Sequence, residues 1–259
     1  MRTSKRSKSE IPAERCAHGA TMEMSQSEPL KEIPVSAMVR HCRQLLSERL
    51  AGQPPLSGLV VGCGNGNEVV YLQRAFSSPR VFGLDVETNF TPAARAEGCL
   101  LRADAQILPF PSGVFDFAAA FHSLEHVGHT EQALDEIRRV LRPGGWFYMG
   151  VPNRSRAVGY LGSANATTWQ KITWNLADWR ARLGGRFENE LGAHAGFARA
   201  ELSKLLTERF ANVQLLTEEL IRFKYAGRLP QVLLNMLLAP SIVNYTAPAH
   251  YALCQKPDA

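Results

Sequence analysis

The chain has 259 residues, 45% hydrophobic and 20% charged, with a formal net charge of +5. That length holds one large α/β domain or two small ones with a proper core. Its longest apolar run, Val232–Ala239, falls far short of the roughly 20 residues a membrane-spanning helix needs, so no transmembrane segment is expected.

The basic start, M-R-T-S-K-R-S-K-S-E, leads into no apolar stretch, which argues against a secretory signal. Five scattered cysteines with no C-x-x-C pair suggest reduced thiols in a cytoplasmic compartment and no zinc site. The excess charge is local. Between residues 154 and 186, Arg154, Arg156, Lys171, Arg180, Arg182 and Arg186 face Asp178 alone. A nucleic-acid-binding stripe would be spread more widely, so none is expected.

Residues 1–30 are polar and carry no apolar period, which predicts disorder. A domain spanning 31–259 follows. Val35, Met38, Val39, Cys42, Leu45 and Leu46 predict a lead-in helix that ends near Gly52 and Pro54–Pro55. The strand Leu59–Val61 breaks into G-C-G-N-G and opens a helix over Asn67–Phe76. Then come a strand Val81–Leu84 ending in Asp85, a short helix Thr91–Ala96, and a strand Cys99–Arg102 ending in Ala103–Asp104. A strand Phe115–Phe121 precedes a helix Thr130–Leu141, and the turn Arg142-Pro-Gly-Gly leads into a strand Trp146–Val151. After an insertion over 154–195, the helix Ala198–Phe210 and the strands Val213–Thr217 and His250–Cys254 finish the pattern. Strands alternating with helices predict an α/β, Rossmann-like, doubly wound sheet. Its ligands would lie beyond the strands' carboxyl ends.

The residues at those ends have matching chemistry. A loop of spaced glycines lets a ligand lie against the main chain, and the helix behind it offers free N–H groups. Asp85 could accept from a ribose diol, and Asp104 from the amine of an adenine edge. Each alone also reads as a loop or turn-capping aspartate.

Together V-V-G-C-G-N-G, G-L-D-V, R-A-D-A-Q-I-L-P-F-P-S-G-V-F-D, H-S-L-E-H-V and L-D-E-I-R-R-V-L-R-P-G-G-W-F resemble the successive motifs of the class I S-adenosylmethionine-dependent methyltransferases. The ubiquinone-biosynthesis-like branch that acts on small molecules is the nearest. The resemblance covers about residues 57–152 and displaces a dinucleotide reading of the glycine loop. It implies a seven-stranded, mostly parallel sheet with the last strand antiparallel, and S-adenosyl-L-methionine as cofactor. It assigns Gly62, Gly64 and Gly66 to the methionine part, Asp85 to the ribose, Asp104 and Ala105 to adenine, and Phe121 and His122 to the methyl donor, with Cys63 and Val86 as further cofactor-binding residues. The family's acidic residue two before the first glycine is Val60 here. Glu68 either replaces it near the cofactor's ammonium or is a first-turn glutamate favoured by the helix dipole.

Methyl transfer needs alignment and water exclusion, and a base only for an acceptor that starts protonated. The candidate catalytic residues are His122, His126 and His194; Glu125 reads as a brace between loop and helix. Trp169, Ile172, Leu176, Trp179 and Leu183 make one stripe of a helical lid, read as core contacts. Trp174 lies off that stripe. With Lys171 and Arg182 it is the candidate for binding a small-molecule acceptor with an anionic or aromatic part. Leu233, Leu234, Leu237 and Leu238 form a second apolar piece, read as core, with contact to a lipid-like acceptor as the alternative. Two other function classes stay open: a cofactor-binding protein without catalysis, and modification of nucleic acid or protein. The second lacks the N/D-P-P-Y and Pro-Cys patterns after strand four, which ends F-H-S-L.

Overall fold

Apolar runs too short for helices and flanked by turn residues become the strands of one seven-stranded sheet. A computed structural model describes residues 33–51, 56–78, 80–157, 167–185 and 196–258. The strands are β1 (Gly58–Val61), β2 (Val81–Asp85), β3 (Cys99–Arg102), β4 (Phe115–Phe121), β5 (Leu141–Pro152), β6 (Ala211–Leu215) and β7 (Ala249–Gln255). Their order is β3-β2-β1-β4-β5-β7-β6. All pairs are parallel except those of β7, which runs antiparallel to both β5 and β6. Every residue of β1 is buried, as is all of β4 but its last, because helices cover both faces. The chain leaves β1 toward β2 on one side, while β4 pairs on the other. The switch point therefore lies at the carboxyl end of β1.

The helices are α1 (Ala37–Arg49), α2 (Asn67–Ala75), α3 (Pro92–Glu97), α4 (Thr130–Val140), α5 (Thr168–Leu183), α6 (Arg199–Thr207), α7 (Thr217–Tyr225), α8 (Gln231–Leu237) and α9 (Val243–Thr246). α1 starts where the Ser36 hydroxyl accepts from the Val39 N–H, and it buries Met38, Val39, Cys42, Leu45 and Leu46 against the sheet. Near the amino end of β7, Ile221, Leu234, Leu238, Val243 and Ala247 make a separate small core from α7, α8, α9 and the residues that follow α8 and α9.

Two expectations change. The Arg142-Pro-Gly-Gly turn lies inside β5, as a four-residue outward step between the Phe115–Leu141 and Phe117–Trp146 pairs. Gly144 and Gly145 still bond to Lys256, which keeps the step in the sheet.

The larger change is in α5. Its stripe is not core: α5 buries none of its residues, and Trp169 and Leu183 are 72% and 88% exposed. The side turned inward is polar. Arg156, only 4% exposed, meets Asp178 at 3.0 Å, and Trp179 Nε1 donates to the Ala157 carbonyl at 2.8 Å. A buried guanidinium requires a carboxylate, and that demand orients the helix apolar side out. No helix among the described residues is long and apolar enough to cross a membrane. The 1–30 tail, and parts of the 154–195 insertion, lie outside the described residues.

Candidate active site

At the end of β1 the N–H groups of Gly62 and Cys63 both donate to the Leu84 carbonyl, at 2.8 and 3.0 Å, which folds the loop back over β2. Gly62 has φ +70°, and a Cβ there would run into the Ser123 side chain. Ser123 itself donates to the Val61 carbonyl at 2.7 Å, locking the start of the loop after β4 onto β1. Gly64 has φ +51°, and its missing Cβ would meet nothing within 4 Å. It lines a cavity of about 650 Å³. A ligand can therefore lie directly on the main chain at Gly64. Gly64→Val would add left-handed strain of about 1–2 kcal/mol and fill part of that space. The expected result is a modest fall in melting temperature and at least about tenfold weaker cofactor uptake by calorimetry.

The same cavity is lined by Cys63, Glu68, Asp85, Val86, Asp104, Ala105, Phe121 and His122. Gly66 does not line it; that residue caps α2 and packs on Ala94 and Leu100. Asp85 accepts the Gly64 N–H at 2.8 Å and the Glu87 N–H at 3.0 Å, so it ties loop to strand end while facing the cavity. Asp104 accepts the Gln106 N–H at 2.9 Å, which makes it a turn cap as well as a lining residue. Burial pushes the Cys63 thiol up to about 12, so it is no nucleophile.

Glu68 is the informative group. Burial holds its carboxyl above the usual range, and Oε2 is buried without a hydrogen-bond partner among the described residues. Val60, the family's usual acidic position, is fully buried in the core. A buried carboxylate oxygen left open at this cavity fits a cationic ligand group such as the cofactor's ammonium.

His122 and His126 line this cavity and also a second one of about 740 Å³. His122 sits at φ +54°, an uncommon conformation for a residue with a side chain, and its N–H donates to the Gly150 carbonyl at 2.9 Å. Glu125 lies between the two histidines on the 3₁₀ turn Leu124–His126. Its Oε1 is 3.8 Å from His122 Nδ1 and 4.0 Å from His126 Nε2. Its side chain is 2% exposed, burial pushes the carboxyl up to about 7, and Oε2 has no hydrogen-bond partner among the described residues. The residue also lines the second cavity, whose walls are mostly apolar: Met38 of α1, Leu220 and Ile221 of α7, and Leu234 and Leu237 of α8. Arg156 and Lys224 bring positive charge to it beside the Glu125–His pair.

Lys171, Trp174 and Arg182 line neither cavity, because α5 stands outside the cleft with its polar side turned to the body. Among the described basic residues of that segment, Arg156 alone lines the second cavity. His194 lies outside the described residues. The sequence reading missed the lining role of Glu125 and Arg156. In L-E-H-V a carboxylate beside a buried Leu124 was the one available signal for Glu125.

The seven-stranded sheet is a Rossmann-like methyltransferase fold with a cavity at its glycine loop. Residues 59–149, which run from β1 to β5, match the family described as a methyltransferase domain. An uncharacterized 37.1 kDa protein in transposon TN4556 of Streptomyces fradiae is 33% identical over 179 residues, 65% of this chain and 51% of that protein. The fatty-acid O-methyltransferase of Mycolicibacterium smegmatis is 33% identical over 133 residues, 47% of this chain and 48% of that enzyme. The chain thus spans about half the length of these curated relatives. In fold it resembles the CurJ carbon methyltransferase, with a TM-score of 0.54 at 16% identity, over 85% of this chain and 54% of that one. The family match covers the stretch from β1 to β5, and the seven-stranded sheet as a whole has the Rossmann-like methyltransferase fold.

Proposed function

We propose that this protein methylates a hydroxyl group carried by an apolar, lipid-like small molecule. The observation that carries this reading is the meeting of two cavities at His122 and His126, with the Glu125 carboxyl buried between them. The first cavity has the donors and acceptors of a nucleoside site; the second is walled by Leu, Ile and Met from α1, α7 and α8. The name of the Mycolicibacterium smegmatis relative, a fatty-acid O-methyltransferase, supports an acyl-chain-like acceptor.

Bound S-adenosylmethionine supplies an electrophilic methyl group on a sulfonium. The chain's residues do the rest. The main chain at Gly62–Gly64 and the Glu68 carboxylate hold the amino-acid end, Asp85 takes the ribose hydroxyls, and Asp104 with Ala105 takes the adenine edge. The apolar walls of the second cavity fix the acceptor and exclude water, which raises the effective concentration of its hydroxyl at the junction. Glu125 accepts the hydroxyl proton on the oxygen left without a partner, and His122 and His126 border the path. A group with an apparent value of about 7 suits that exchange near neutral pH.

The test is partition of label from methyl-tritiated cofactor after incubation with fatty alcohols, hydroxy fatty acids and sterols beside water-soluble phenols and amines. Label passing into the organic phase is expected, with calorimetric uptake of S-adenosylhomocysteine. Label confined to water-soluble acceptors would overturn the acceptor class; no cofactor uptake would overturn the enzyme.

A further inference from the structure

We infer that the acceptor carries a carboxylate besides the hydroxyl to be methylated, and that Lys224, in the wall of the second cavity away from the junction, selects it. The inference rests on the function proposed above and names the acceptor's second polar group.

α7 turns one side to that cavity. Leu220 and Ile221 line it and are 2% and 8% exposed. One turn further along the same side, the apolar period asks for another apolar residue. The sequence puts Lys224 there, half-buried, and Lys224 lines the cavity too. The reacting end lies elsewhere. The N–H of Leu216, just before α7, donates to the Tyr251 carbonyl at 2.8 Å, and the Tyr251 ring stands edge-on to His122 with centroids 6.2 Å apart. Lys224 follows Leu216 by eight residues. That is about 12 Å of helix at about 1.5 Å per residue. An acceptor with its hydroxyl against Glu125 can therefore run along Leu220 and Ile221 and end at the ammonium.

Charge sets the class of that end. Among the described residues, the charged side chains lining the cavity are Glu125, Arg156 and Lys224. Glu125 works at the junction. Arg156 meets Asp178 at 3.0 Å and donates from Nη1 to the Asn153 carbonyl at 3.0 Å, so its charge is compensated within the protein. Lys224 has the Tyr225 ring centroid 5.3 Å from Nζ and enters no ion pair among the described residues. A monoanion balances that charge, which favours a carboxylate over a doubly charged phosphate. Apolar walls strengthen the charge-assisted hydrogen bond between them.

A lysine here also has two structural uses. It stands in the last turn of α7, where the helix dipole favours a cation, and its methylenes can cover apolar surface while the ammonium stays wet. Neither use discriminates between acceptors by charge.

The experiment compares ω-hydroxylaurate with the neutral diol of the same chain length. Both are titrated by calorimetry into the full chain in buffer containing S-adenosylhomocysteine. The hydroxy acid is expected to bind at least about tenfold tighter, by a margin that shrinks as salt rises. Lys224→Met keeps the apolar stem without the charge and should bring the hydroxy acid down to the diol. Lys224→Arg should keep the preference. S-adenosylhomocysteine affinity, followed in each variant, reports whether it has folded. Equal affinities in the wild type, a preference that survives Lys224→Met, or no binding of either compound would overturn the inference. Methyl-tritiated cofactor then locates the product. Label in a base-stable ether supports the inference, whereas label in a base-labile ester would put the carboxylate at the junction and overturn it. A preference that depends on Lys224 with no transfer of label would leave the carboxylate subsite standing and count against the methylation proposed above.

Discussion

Glu125→Gln is expected to lower kcat about 10²- to 10⁴-fold, the range for losing a positioned general base, with cofactor affinity unchanged. The carboxyl sits between His122 and His126, and its value of about 7 comes from burial. Wild-type kcat should therefore rise as the carboxylate forms on passing through about 7, and the variant should lose that limb. Stability runs the other way. The folded protein keeps the Glu125 proton up to about 7, whereas the unfolded chain releases it near the ordinary 4.5. Between those values the native state binds more protons, so stability falls as pH rises, by an amount on the order of 3 kcal/mol. Glutamine is neutral throughout and escapes that loss. At about pH 8 the variant should be slower yet melt several degrees higher than wild type. A variant both slower and less stable would mark Glu125 as a brace. Full turnover would mean that the acceptor arrives with no proton to lose.

That residue also shows where sequence reading stops. Strand ends were legible because each strand is an apolar run closed by a turn, and a parallel sheet must gather its functional residues at one edge. Asp85, Asp104 and Gly62–Gly64 meet at one cavity for that reason. Glu125 was not legible, because its burial depends on packing beneath a three-residue turn that leaves no periodic trace. The second cavity was equally hidden. Its walls set α1 against α7 and α8, which lie far from α1 in sequence and meet it only through the fold. In α5 the amphipathic pattern was real, but a pattern distinguishes two sides of a helix without saying which one faces the body. The buried Arg156 decided that, and its burial could not be read from R-S-R.

Asp85→Ala is expected to weaken S-adenosylhomocysteine binding about 10²-fold or more, measured by calorimetry. Hydrogen bonds to a charged group contribute about 1.5–3 kcal/mol each. Asp85 makes two to the backbone, one at Gly64 and one at Glu87, besides the ribose bonds assigned to it here. Removing it therefore loosens the glycine loop and deletes a ligand contact together. Hydrogen exchange at the Gly64 amide should accelerate in the variant even before ligand is added, which separates the tie from the contact. Asp85→Asn refines the argument. Both carboxylate oxygens face N–H donors, so an amide must turn its own NH₂ toward one of them. Asparagine should then be nearly as weak as alanine, despite its shape. Near-wild-type affinity for the Asn variant would mean that one neutral oxygen suffices, and would confine Asp85 to holding the loop.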